Sequence, residues 1–149
     1  MIRLVRTDSD NTDFKTLIEE LDAYLKITDG DEHEFYNQFN GVSIIKNVVV
    51  AYIASKAIGC GAFKIFNTQQ VEIKRMYTKP KMRGLGVASE ILTALELWAA
   101  ELNFSEAILE TGTRQKEAVA FYKKNDYMSI PNYAQYQNMD NSLCFKKKL

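Results

Sequence analysis

Ile2 to Arg6 alternates apolar and charged residues, the period of two expected of a half-buried strand. After the polar cluster TDSDNTD, the residues Phe14, Leu17, Ile18, Leu21 and Leu25 recur at helical spacing, and Asn11 or Thr12 can cap the helix they predict. A shorter helix is predicted over residues 31–39, with Phe35, Tyr36 and Phe39 on one side. Its acidic start at Asp31, Glu32 and Glu34 suits the positive end of a helix dipole. Residues 48–54 and 57–66 are then rich in β-branched and apolar side chains, with Ser55 and Lys56 as the hairpin turn between them. Residues 67–69 turn into a further strand over 71–78. Consecutive strands joined by short turns pair antiparallel, which excludes a purely parallel, doubly wound sheet.

The strand from Val71 breaks its own alternation. Val71 and Ile73 share one face, but the next apolar residue, Met76, falls on the other, and Arg75 stands where an apolar residue is due. Two explanations are open: an extra residue near Lys74 or Arg75, a β-bulge, or a strand end that emerges into solvent. From Gly84 a helical stripe runs through Ala88, Ile91, Leu92, Leu95, Trp98 and Leu102, and Asn103 can take the left-handed conformation that stops it. The strand over 107–109 follows this crossover helix and should lie parallel to the strand from Val71. A helix capped at Thr113 ends with Lys123 and Lys124 in its last turn, as the dipole prefers. A short strand over 127–130, a polar, tyrosine-rich loop over 131–141 and a strand through Leu143, Cys144 and Phe145 complete the chain. With no linker, repeat or low-complexity tract, residues 1–149 are expected to form one domain.

The stretch QVEIKRMYTKPKMRGLGVA, residues 70–88, combines a strand, a tight turn and a helix N-terminus. The first amides of a helix lack intrahelical acceptors and carry the positive end of its dipole, so a glycine-bearing turn there can hold an anion such as pyrophosphate. Lys79, Lys81 and Arg83 add positive charge around it. A P-loop fits poorly, because Val87 and Ala88 follow the last glycine where Lys and Ser or Thr are needed. A dinucleotide fingerprint is disfavoured by Ser89 at its third small position.

The same stretch resembles motif A of the GNAT superfamily of N-acetyltransferases. The frame is Lys81, Met82, Arg83, Gly84, Leu85, Gly86, with Lys81 where the family usually has Arg or Gln. Downstream, ILETGTRQKEAVAFYKKNDY is similar to motif B: Ala118 and Tyr122 keep its spacing, Gln115 stands where many members have Asn, and Asn125 and Asp126 where many have Gly. The resemblance implies an α/β GNAT fold: a mixed, mostly antiparallel central sheet splayed at its parallel strand pair, with helices on both faces. It also favours the bulge in the Val71 strand, which frees backbone groups for the cofactor.

Composition narrows the partners. Nineteen basic and nineteen acidic residues cancel, which argues against nucleic acid as the main partner. No apolar run reaches the roughly 20 residues of a membrane span, and the N-terminal residues lack the apolar core of a signal peptide, so a cytoplasmic location without a membrane partner is expected. Cys60 and Cys144 sit in strand patterns, where cysteine serves as a small core residue. His33, the only histidine, lies in the polar run GDEHE and reads as a solvated residue.

Acetyl transfer from a thioester to an amine needs an anchored acetyl-CoA, a neutral amine, an oxyanion donor and a proton for the leaving thiolate; it requires no metal. By the resemblance, the turn from Lys81 and Met82 through Arg83, Gly84, Leu85, Gly86, Val87 and Ala88 holds the pyrophosphate. The backbone of Met76, Tyr77 and Thr78 faces the pantetheine arm, with Gln115 and Tyr122 beside it. Met76 is the candidate oxyanion donor through its amide, Tyr122 the candidate general acid, and Glu72 the candidate base through water. The acceptor, a small-molecule or protein amine, is left open, as is a homodimer. The alternative is a domain that binds acyl-CoA as a sensor without turning it over; such a domain has no physical need for the Tyr122 phenol.

Overall fold

Strand β1 (Ile2–Thr7) pairs antiparallel with β2 (Asn47–Ile53), β2 with β3 (Lys56–Ile65), and β3 with β4 (Gln70–Thr78), the meander expected from the short turns. These and all further details come from a computed structural model that describes residues 1–32 and 45–149. The hairpin turn sits at Ala54 and Ser55, not at Ser55 and Lys56, and Ala54 takes a φ of 54° to make it. Helix α1 (Thr12–Asp29) starts at Asn11, whose Oδ1 accepts from the Phe14 amide at 2.9 Å. Gly30–Glu32 forms a single 3-10 turn, and the rest of the helix predicted over 31–39 lies outside the described residues.

Helix α2 (Val87–Glu101) leads through a left-handed Asn103 into β5 (Glu106–Gly112), which is followed by α3 (Lys116–Lys124), β6 (Met128–Ile130) and β7 (Ser142–Lys148). The described strands form one sheet in the order β1-β2-β3-β4-β5-β7-β6, antiparallel except for β4 and β5. Helices cover both faces. Phe14, Leu17, Ile18 and Leu21 of α1 pack with Val48, Val50, Cys60 and Tyr77 on one side. Ile91, Leu92, Leu95 and Ala99 of α2, together with Tyr122 of α3, pack with Phe63, Val71, Leu109 and Phe145 on the other. Each fully buried Leu, Ile or Phe contributes about 1.5–3 kcal/mol, so these layers fix the sheet between its helices. Leu102, expected on the α2 stripe, is exposed; Val87 and Ala99 complete it instead. Among the described residues no helix is long and apolar enough to cross a membrane.

Two local features shape the centre of the sheet. Arg75 has a φ of 59°, and the β3–β4 register slips between Cys60 and Ala62, so β4 carries a bulge at the position where its alternation fails. A bulge bends and twists its strand. Accordingly, β4 and β5 pair only through Gln70↔Glu106, Val71↔Ala107 and Glu72↔Ile108 before they part, although β4 continues to Thr78 and β5 to Gly112. Gly61 sits opposite the bulge, where an added Cβ would collide with Met76 Sδ and lie 2.9 Å from Ile91 Cγ2 and Leu95 Cδ1. Gly61→Ala is therefore expected to destabilise the protein by about 1–3 kcal/mol, the range for overpacking, in a denaturant titration. An unchanged midpoint would mean that the bulge can move aside.

Candidate active site

The gap between β4 and β5 opens into two cavities that share a wall. The larger, about 420 Å³, runs between the end of β4 and the start of α3, past Tyr24 of α1, Thr78, Arg83, Ala88 and Phe121. The smaller, about 120 Å³, lies toward α1 and β5 and is lined by Asp29, Glu72, Lys74, Arg75, Glu110 and Tyr136 among others. Leu21, Met76, Gln115, Ala118 and Tyr122 line both. The bulged strand, the α3 helix and the gap between the paired strands thus bring Met76 and Tyr122 to one junction.

The turn at one end of the large cavity is built for close approach. Pro80–Met82 forms a 3-10 turn, closed by the Met82 amide on the Lys79 carbonyl at 2.8 Å, and Arg83 Nε donates to the Thr78 carbonyl at 3.2 Å. Gly84 and Gly86 both have a φ of 82°, and a Cβ on either would point into open space. The helix expected to begin at Gly84 begins at Val87 instead, because left-handed glycines cannot be helical residues. Its first intrahelical bond runs from the Glu90 amide to the Gly86 carbonyl at 3.1 Å, so the earlier amides are orphan donors at the positive end of the helix. Lys81, Met82, Arg83, Gly84, Leu85, Gly86, Val87 and Ala88 are therefore gathered along one turn. Lys79 leans away, 3.2 Å from Glu20 Oε2.

Gln115 caps α3 without a side-chain bond, while its amide donates to the Gly112 carbonyl at 3.0 Å. The cap expected from Thr113 is not formed: Thr113 Oγ1 lies 3.4 Å from Asn141 Oδ1, and the helix starts at Lys116. Arg114 Nη1 donates to the Thr28 and Asp29 carbonyls at 3.3 and 3.0 Å, and Asn141 Nδ2 donates to Glu32 Oε1. These bonds fasten the end of α1 over the β5–α3 loop. Arg114 meets the negative end of the α1 dipole.

Tyr122 is 8% exposed, its ring edge-on to Phe121 and Tyr127. Burial, and after it the Glu110 carboxylate, push its pKa above the ordinary phenol value, so it holds its proton at any working pH. Glu72 is buried; its Oε2 accepts from the Tyr133 hydroxyl at 2.6 Å and its Oε1 lies 3.9 Å from Lys74 Nζ. Glu110 was not singled out by sequence reasoning. Burial pushes its pKa up to about 7, against the pull of Ser142 and Lys74 and with the push of Asp29 and Glu72. A signal existed: a lone carboxylate after the buried run Ala107, Ile108, Leu109, in a strand covered on both faces, is an expensive placement.

The cleft thus has a turn of free amides at one end and a phenol and two carboxylates, Tyr122, Glu72 and Glu110, at the other. Residues 14–127 match the family model of the acetyltransferase (GNAT) family. The chain belongs to that family. An IAA acetyltransferase of Azospirillum brasilense is 31% identical over 139 residues, covering 89% of this chain and 88% of the relative. Among solved structures, a Klebsiella pneumoniae protein assigned as an acyl-CoA N-acyltransferase superposes with a TM-score of 0.84 at 27% identity, covering 100% of this chain and 98% of that one. The PaiA N-acetyltransferase of Thermoplasma acidophilum, in complex with coenzyme A, superposes with a TM-score of 0.75 at 18% identity, covering 100% and 99%. As a GNAT family member, the chain is an acyltransferase, and its splayed mixed sheet is the family fold.

Proposed function

We propose that this chain is an acetyl-CoA-dependent N-acetyltransferase. The observation that carries the reading is the junction at Met76 and Tyr122, where the long cleft from the phosphate-type turn meets the small, charged cavity. Acetyl-CoA supplies the activated acetyl group. The turn suits its pyrophosphate: the amides of Gly84 to Ala88 precede the first helical bond, and the open space beside both glycines is room that a side chain would fill. Tyr77, Thr78 and Arg83 line the same path, Lys81, Met82 and Leu85 belong to the turn at its end, and Gln115 lines it beside Tyr122.

Beyond the turn, each residue does one job. The backbone around Met76, released from the regular ladder by the bulge, donates to the oxyanion as negative charge develops. Tyr122 delivers its proton to the departing thiolate. An ordinary phenol exceeds an ordinary thiol by roughly 1.5 pKa units, and although burial raises Tyr122, the same burial raises a thiolate beside it. Glu110 accepts the proton that the acceptor's ammonium must lose, because a carboxyl pushed up to about 7 is a far better base near neutrality than an ordinary one. Glu72, the carboxylate picked from sequence, acts with it through water, held in place by the Tyr133 hydroxyl. The setting of this reading is the cytoplasm, with residues 1–149 as one domain.

Acetyl-CoA should raise the melting temperature in a concentration-dependent way, since it binds the folded state. Gly86→Glu should abolish that shift, both because a carboxylate would enter the anion site and because a φ of 82° strains any side chain. If calorimetry gives no heat with millimolar acetyl-CoA, the reading fails.

A further inference from the structure

The small cavity holds both signs of charge. Lys74 and Arg75 are consecutive on β4, and the bulge brings both to the same cavity; Glu110 lies on β5, and Asp29 closes the α1 side. Arg75 is 6% exposed, and its Nη2 donates to Asp22 Oδ1 at 2.7 Å. Its Nε and Nη1 are buried without a hydrogen-bond partner among the described residues, and the Asp22 side chain is itself 43% exposed. A buried guanidinium with unused donors is costly, and an anion is the group that relieves it. Across from Lys74 and Arg75, Glu110 on β5 suits an ammonium, while Glu72 stands beside Lys74 on β4 with its Oε1 3.9 Å from the Lys74 Nζ. At about 120 Å³ the cavity has room for roughly four waters, the bulk of an amino acid's ammonium, α-carbon and carboxylate.

We propose that the acceptor is a small amino-carboxylic acid, its amine facing Glu110 and the Tyr122 junction and its carboxylate facing the Lys74–Arg75 wall. The proposal rests on the acetyl-transfer reading above. It separates the open acceptor classes by charge: a simple amine or a peptide N-terminus brings no carboxylate next to its amine, and would leave the unused Arg75 donors unanswered.

The test is release of free CoA thiol from acetyl-CoA with the twenty amino acids, each set against its carboxamide, and with tyramine and a tripeptide as amines lacking the adjacent acid. At least one amino acid should exceed its own amide by tenfold or more in kcat/KM, mainly through KM. Lys74→Gln should lower kcat/KM for that acid about tenfold and bring the acid-to-amide ratio toward one. Arg75→Gln should do the same if its melting curve remains cooperative; Lys74→Gln keeps the test decisive if it does not. Amides, tyramine or the tripeptide turning over as well as the acids would overturn this proposal and leave acetyl transfer standing. No thiol release with any member, while acetyl-CoA still shifts the melting temperature, would also overturn it. Absence of acetyl-CoA binding would instead remove the parent reading, and this one with it.

Discussion

Tyr122→Phe is expected to lower turnover about 10²-fold to 10⁴-fold, the usual contribution of a positioned general acid, while cofactor affinity and stability barely change. Phe keeps the ring that packs against Phe121, Tyr127 and Phe145, so only the hydroxyl is lost. Tyr122 is among the residues that line both cavities. A proton given only in the transition state shows in kcat and kcat/KM alike, whereas lost packing would show in the melting temperature. The deficit should widen at high pH, where solvent protons are scarce and the leaving thiolate depends most on the enzyme's own donor. Single-turnover rates across pH with calorimetry of acetyl-CoA binding separate these outcomes. Near wild-type rates throughout would leave Tyr122 as a packing residue, and if the wild type also turned over no acceptor, the reading of a sensor that binds acyl-CoA without catalysis would gain.

The antiparallel meander, the crossover helix and the glycine turn were legible because each rests on a local pattern: alternation, helical stripe, paired glycines. The bulge was legible for the opposite reason, since Arg75 interrupts the alternation of its strand and the chain answers with a φ of 59°. What could not be read was set by partners far along the chain. Thr113 has the chemistry of a helix cap, but its hydroxyl is turned toward Asn141, and Gln115 takes the cap position by backbone alone. The β2–β3 turn was misplaced by one residue because Ala54, which propensity keeps out of positive φ, adopts it there. The motif frame located Tyr122 and the turn, yet it is silent on the acceptor side. There Glu72, Lys74, Arg75 and Glu110 come from two strands whose neighbours become clear only once the strands are seen to part.

Glu110→Gln should reduce activity and increase stability at the same pH, a combination that a simple folding defect cannot produce. The carboxyl is ordinarily near 4.5 and is held at about 7 in the folded chain, chiefly by burial, so the native state binds its proton more tightly than the unfolded state does. Between those values the folded protein carries the extra proton, and stability therefore falls as pH rises, with the full penalty reached above about 7. At about 1.4 kcal/mol per pH unit, the interval corresponds to about 3 kcal/mol. Gln cannot ionise, so the variant should be more stable than the wild type by up to that amount at pH 8. The two should converge below pH 4, where both side chains are neutral. The neighbours that set the value act from every side: Ser142 and Lys74 lower it, Asp29 and Glu72 raise it. Activity should move the other way. The wild-type rate should climb through pH 7 as the base deprotonates, and the variant should lose that limb along with roughly 10²-fold or more of its turnover. Denaturant melts at pH 4 and 8, paired with a pH–rate profile, test both halves together. A variant with unchanged activity but raised stability would return the base to Glu72 and its water, whereas one with neither change would show that Glu110 is solvated in the working enzyme.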